Sequence, residues 1–268
     1  MQPVLFKLGW IVAPSFTALM ALGLGAGLAL TWMEARRMSL SPIDVLDVAL
    51  VAVLVGLLAA RIGYVVEHWD YFRNHADEIA QVWQGGLSWY TGFAGGACGA
   101  AAASVRRKLD ARAVFDTLAP GLMAGAALGW IGCHLAGVAY GREVFPGERW
   151  WFLAADLPDI YRLWNPRIAT QLLGAGWAAL VFIAVWAART WAKPRSGVRF
   201  AAAMMLYSVG MFALGFARGD MVPMAVTWRA DQVADAIIVV ASVAYILWAG
   251  RGQRSVQGRP HVAAGSHS

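Results

Sequence analysis

Four polar groupings in an otherwise apolar chain have residue types suited to chemistry on an anionic ligand. Arg61 stands with Tyr64 at the end of one apolar run, and Tyr90 follows the pair Gly85-Gly86. The segment GWIGCHLAGVAYGR, residues 129–142, carries Gly132, His134, Gly141 and Arg142, and Arg218-Gly-Asp220 closes a later run. Gln171, after Thr170, and Gln232 add neutral hydrogen-bonding groups at the starts of two further runs. An arginine fork offers paired donors that match a phosphate, and glycines let helices, or a lipid headgroup, approach the backbone closely. Two readings of Arg61, Arg142 and Arg218 stand side by side: phosphate ligands, or interfacial arginines snorkelling to water. His134, alone in an apolar stretch, reads as a packed or hydrogen-bonded histidine or as a proton-transfer group.

The elements that must position these residues cross a membrane. The 268 residues are 59% hydrophobic and 14% charged, with 14 tryptophans, a balance outside that of soluble domains. Apolar stretches near the length of about 20 residues that spans a bilayer fall at 12–33, 43–65, 87–105, 114–139, 168–190, 199–217 and 232–250. The expected fold is an all-α integral membrane protein of seven transmembrane helices, residues 1–251. The third span is the shortest and is rich in Gly and Ala, which suits a helix packed inside the bundle. Between the spans, residues 67–86 form an expected arm, helical in part around 74–83. Residues 140–167, with Pro146, Trp150-Trp151-Phe152 and Pro158, form an expected small extracytoplasmic head. The tail 252–268 reads as disordered.

Basic residues set the orientation. Arg36, Arg37, Arg106, Arg107, Lys108, Arg112, Arg189, Lys193, Arg195, Arg199, Arg251, Arg254 and Arg259 gather in one set of connections and the tail, whereas Glu67, Asp70, Asp77, Glu78, Glu143, Glu148, Asp156, Asp159 and Asp220 fall in the other. This bias predicts an outer N-terminus and a cytoplasmic C-terminus in a bacterial inner membrane. The net charge of +6 then reads as contact with the inner leaflet, not with nucleic acid. No signal-peptide cleavage pattern follows the first span. Cys98 and Cys133 fall within spans, which disfavours a disulfide, and no metal-ligand spacing appears.

With these blocks in view, the chain resembles the prolipoprotein diacylglyceryl transferases over roughly residues 15–250. ARIGYVVEHWDYF and VWQGGLSWYTGFAGG correspond to that family's second and third helices with the arm between them. GWIGCHLAGVAYGR corresponds to its signature on helix four, RIATQLLGAG to a helix-five segment, and GMFALGFARGD to its arginine-bearing helix six. The resemblance implies seven spans, an outward N-terminus and no cofactor or metal. It implies a reaction that moves the diacylglyceryl group of phosphatidylglycerol to the lipobox cysteine thiol of a preprolipoprotein, releasing glycerol 1-phosphate. Such a reaction needs arginines on the phosphodiester and a group that helps the thiol ionise.

The resemblance also locates departures. The family's helix-four arginine, asparagine and glutamate fall at Trp130, Cys133 and Val138; its arm-side histidine at Tyr90; its helix-one tyrosine at Phe16. On helix five, Tyr and Glu fall at Leu173 and Gly174, and on helix six, Arg and Glu fall at Met211 and Gly215. Arg61, Gly85, Gly86, Gly132, Gly141, Arg142, Gln171, Arg218 and Gln232 match. One implied reading is a rewired transferase in which these residues hold a phosphatidylglycerol-like headgroup while Tyr90, His134 or Asp220 moves the proton. The other is a non-catalytic or re-specialised lipid-binding homologue. A transporter fits less well, because no inverted repeat or pair of broken helices stands out.

Overall fold

The computed structural model describes residues 4–8, 11–158, 163–189, 197–220, 224–225 and 228–257. Antiparallel strands β1 (Val4–Leu8) and β2 (Ile11–Pro14) lead into α1 (Ser15–Arg37). There follow α2 (Pro42–Glu67), the short α3 (Trp69–Phe72), α4 (Trp89–Arg106) and α5 (Ala111–Ala136). A hairpin of β3 (Ala154–Pro158) and β4 (Trp164–Ile168) precedes α6 (Thr170–Ala188) and α7 (Val198–Gly215). A two-residue ribbon, β5 (Met224–Ala225) with β6 (Trp228–Arg229), leads into α8 (Ala230–Gln257).

Among the described residues, six helices are long and apolar enough to cross a membrane: α1, α2, α5, α6, α7 and α8. Their outward faces are oily: Leu54, Leu58 and Ile62 on α2, Leu180 and Ile183 on α6, and Val240 on α8 are all exposed. A row of exposed apolar side chains on adjacent helices is untenable in water and expected in lipid. The chain is a helical integral membrane protein. The remaining long helix, the 18-residue α4, packs on α2 through small residues: a Cβ at Gly92 would lie 2.9 Å from Ala60 Cβ, and one at Gly96 3.2 Å from the Ala52 carbonyl. The α1–α5 crossing is equally close, with a Cβ at Gly27 reaching 3.1 Å from the Gly121 carbonyl. Backbones that meet so closely gain dispersion contact where lipid supplies no hydrophobic drive.

One end of the bundle is tied by charge. The Asp116 carboxylate on α5 accepts from Gly197 and Phe200 N–H, capping α7 from outside that helix, and Arg199 donates to the Asp116 carbonyl and to Glu34. At the same end Arg107 pairs with Asp44 and Asp47, fastening α4 to the start of α2. The opposite end carries the arm, the β3–β4 hairpin and the candidate site.

Helix limits differ from expectation where backbone chemistry intervenes. Residues 11–14, taken partly into the first span, are a strand: Pro14 is extended (φ −62°, ψ 137°) and pairs with Val4. That span ends at Arg37 because its charged last turn is satisfied inside the bundle, with Glu34 pairing both Arg37 and Arg199. The fourth span stops at Ala136, short of 139, because Gly137 turns left-handed (φ 74°) and its N–H closes the helix. In the arm, helical character around 74–83 takes the form of 3-10 turns at Ala76–Glu78 and Val82–Gln84. Finally, α8 continues to Gln257, so residues 252–257, expected within a disordered tail, are helical; 258–268 lie outside the described residues.

Candidate lipid site

A cavity of about 890 Å³ opens between α1, α2, α4, α5 and α7. Most of its wall is apolar, from Phe16, Met20, Leu24, Val53, Phe93 and Leu122. Its polar end is formed by Trp130, Cys133, Tyr207, Arg218, Asp231 and Asp235. An oily channel with a few convergent polar groups at one end is the form of an amphiphile site, and the volume falls in the ligand-pocket range of about 300–1,000 Å³.

Arg218 anchors the polar end. Its Nε and Nη2 grip the Asp220 carboxylate and its Nη1 donates to Asp231 Oδ2 at 2.9 Å. Arg229 bridges the same two acids from β6, to Asp220 Oδ1 at 3.1 Å and Asp231 Oδ1 at 3.1 Å. The four side chains form a closed, charge-balanced ring in which only 6–17% of each is exposed. The backbone of Arg218 bridges Gly141, with Arg142 N–H on the Ala217 carbonyl and Gly219 N–H on the Tyr140 carbonyl, so the end of α7 is stitched to the segment after α5. Residue 141 must be glycine there, since a Cβ would collide with the Ile168 carbonyl.

Of the residues nominated from sequence, Arg218 alone lines the cavity. Arg61 is 8% exposed and acts as a staple: Nε donates to the Ile79 carbonyl, Nη1 to Gly85 and Gly86, and Nη2 to Glu78. Its donors fold the arm instead of facing a headgroup, and the guanidinium lies over Phe72 (5.3 Å) and Tyr64 (5.8 Å). Gly85 and Gly86 serve that staple through their carbonyls. Gly85 has φ 91° and ψ −156°, a region reserved for glycine, and a Cβ at Gly86 would lie 2.8 Å from Arg61 Nη1.

Arg142 pairs with Glu148 at 3.1 Å in a partly exposed bridge. The Glu148 carboxyl is held below the usual carboxylate range by the Phe145 N–H and then by Arg142. Gln171 donates to the Val138 carbonyl at 3.0 Å, while its buried Oε1 has no partner among the described residues. Gln232 donates to the Phe212 carbonyl and accepts from Arg229 N–H. Gly132 packs on Phe16 and Leu19 of α1. These residues position the site from its rim.

The proton-transfer nominations change. Asp220 is a poor proton acceptor: burial opposes its charge, but the Arg218 grip and Arg229 outweigh that and hold its carboxyl below the usual range. Tyr90, at the start of α4, packs edge-on against Trp89 (6.0 Å), and only Trp89 reaches the cavity. His134 is likewise absent from the cavity wall, with Nδ1 buried and unpaired among the described residues. Sequence reading passed over Asp231, Asp235, Tyr207 and Arg229. The signal for the two acids was available, since Asp231 and Asp235 lie four residues apart at the start of a span and so share one helix face, and a carboxyl within a span marks function by default.

Two positions at which the resemblance implies other residues, Trp130 and Cys133, line this polar end. Trp130 lines the cavity, donates from Nε1 to Tyr207 Oη at 3.1 Å and lies under Arg218 at 5.9 Å. Among the described residues no three His, Cys, Asp or Glu side chains gather as a metal site would require.

The family profile described as Prolipoprotein diacylglyceryl transferase matches residues 3–248. A phosphatidylglycerol–prolipoprotein diacylglyceryl transferase of Geobacillus kaustophilus is 31% identical over 254 residues, covering 91% of this chain and 90% of its own. One of the same name from Listeria innocua is 26% identical over 256 residues, covering 92% and 90%. With five sequence blocks in order, the helical membrane fold and a match over nearly the whole length, the chain belongs to the prolipoprotein diacylglyceryl transferase family.

Proposed function

We propose that this protein transfers a diacylglyceryl group from phosphatidylglycerol to the cysteine thiol of a prolipoprotein in a bacterial inner membrane. The observation that carries this reading is the 890 Å³ cavity, apolar along five helices and ending at Arg218. Acyl chains fit the oily wall, and the glyceryl–phosphate linkage then falls at the polar end. There Arg218 stabilises the phosphate as it leaves, a role for a preorganised cation in a low-dielectric site. To do so it exchanges part of its hydrogen bonding from Asp220 or Asp231 to the phosphate. The lipobox peptide enters at the end bearing the arm and the β3–β4 hairpin, so that its cysteine reaches the headgroup level.

The same reading makes α4 a seventh span, with the arm, hairpin and N-terminus outside and the C-terminus in the cytoplasm. The positive-inside bias supports it, because Arg37, Arg107, Arg189 and Arg199 meet at the opposite end of the bundle.

A second reading, lipid binding without turnover, draws support from the charge-balanced ring of Arg218, Arg229, Asp220 and Asp231. One experiment separates the two: purified protein, labelled phosphatidylglycerol and a lipobox peptide. Transfer to the peptide, lost on Arg218→Ala, is the expected result. Retained phosphatidylglycerol binding with no transfer would leave only the second reading.

A further inference from the structure

The ring at the polar end leaves one carboxyl outside it. Asp235 is 2% exposed and lines the cavity, and its Oδ1 has no hydrogen-bond partner among the described residues. It forms no ion pair among them, whereas Asp231, one turn earlier on the same face of α8, is gripped by both arginines. A carboxyl buried in a membrane span with one oxygen unsatisfied is costly, and the hydroxyl beside it is that of Ser208 on α7. Around it stand Cys133 on α5, Tyr207 and Ser208 on α7, and Arg218 and Asp231 of the ring.

The transferase reading, on which this inference rests, needs a group that takes a proton from the acceptor thiol. Both Asp220 oxygens and both Asp231 oxygens are held by arginines, and neither Tyr90 nor His134 reaches the cavity. The geometry points to Asp235 as the proton acceptor for the lipobox cysteine. The thiol proton passes to Oδ1, and the sulfur lone pair forms a C–S bond to the glyceryl carbon. The bond from that carbon to the phosphate oxygen breaks, and its electron pair leaves with the phosphate beside Arg218. Protonated Asp235 then gives its proton to the released phosphate or to water, which restores the base.

The test compares a cysteine lipobox peptide with its selenocysteine counterpart, since a selenol ionises without help where a thiol does not. Asp235→Asn should lower transfer to the thiol by about 10²–10⁴-fold, the usual contribution of a general base. It should leave phosphatidylglycerol binding and melting temperature near wild type and recover most of the rate with the selenol. The wild-type rate should rise with pH through one ionisation that D235N lacks, with Arg218, Arg229, Asp220, Asp231, Cys133 and Tyr207 intact in both proteins. Full thiol activity in D235N, or an equal loss with thiol and selenol, would overturn the assignment. So would failure of D235N to fold, unless Asp235→Ser folds and shows the selenol rescue. An inactive wild type would remove the transferase reading and this inference with it, whereas an active wild type with an active D235N removes the inference alone.

Discussion

The indole of Trp130 packs against Gly174, so close that a Cβ at 174 would fall 2.6 Å from Cδ2 and 2.8 Å from Cε2 of the ring. These are two positions at which the family resemblance implies charged residues, an arginine at 130 and a glutamate at 174. The bulky ring on α5 fills the space that glycine leaves on α6. The two positions pack as one unit, an aromatic ring over a bare backbone, and an apolar pair here avoids the insertion cost of about 2.5–3.5 kcal/mol that each charge would carry within a span.

That coupling has a direct test. Gly174→Ala should destabilise the protein by about 1–3 kcal/mol, the usual cost of overpacking, read as a lower melting temperature in detergent. Trp130→Arg and Gly174→Glu should each destabilise alone, and the double variant should lose less than the sum of the two. Additive losses would show that the positions act independently.

Arg61 organises the arm. Arg61→Lys keeps the charge but loses the fork that reaches four carbonyls, and hydrogen bonds to charged groups are worth about 1.5–3 kcal/mol each. The expected outcome is faster amide exchange and proteolysis within residues 76–86, with phosphatidylglycerol binding unchanged. Gly86→Ala should reproduce the effect, because at its left-handed φ of 75° the methyl would fall 2.5 Å from the Tyr64 ring and 2.8 Å from Arg61 Nη1. A binding defect with a rigid arm would return Arg61 to the headgroup.

The two other nominated arginines should separate sharply. Arg142 sits in a pair whose side chains are 40% and 33% exposed, and such pairs contribute about 0–1 kcal/mol. Arg142→Ala should therefore change melting temperature and transfer little. Arg218→Ala leaves two acids sharing one arginine and should cost about 3–5 kcal/mol of stability, as breaking a buried pair does. To keep activity and folding apart, Arg218→Lys should fold better than the alanine variant yet still transfer poorly. Equal effects at 142 and 218 would contradict this ordering.

Asp220 sets an acid limit. Its folded-state value lies below its unfolded one, so its contribution to stability is complete above about pH 5, a unit over the unfolded carboxylate value near 3.9. It is lost as pH falls through the lower folded value. The melting-temperature gap between wild type and Asp220→Asn should thus stay constant from about pH 8 to pH 5 and close only in stronger acid. A gap that widens on acidification would refute the ring as drawn.

The sequence by itself determined the membrane class, the positions of the long helices and the family, because these follow from runs of apolar residues and from short local motifs. It also located the glycines, since close helix crossings and left-handed turns restrict residue type at single positions. It did not decide what each charged residue does. Arg61 and Arg218 look alike in sequence, each an arginine at the end of an apolar run. Only the folded chain turns one toward the carbonyls of residues 78–86 and the other into the cavity. Tertiary structure likewise decided that Asp220 is held between two arginines while Asp235, on the next helix, keeps a free oxygen. The physical reason is that a buried charge takes its role from whichever partner the packing brings within about 3 Å, and for these residues most of those partners come from other segments of the chain.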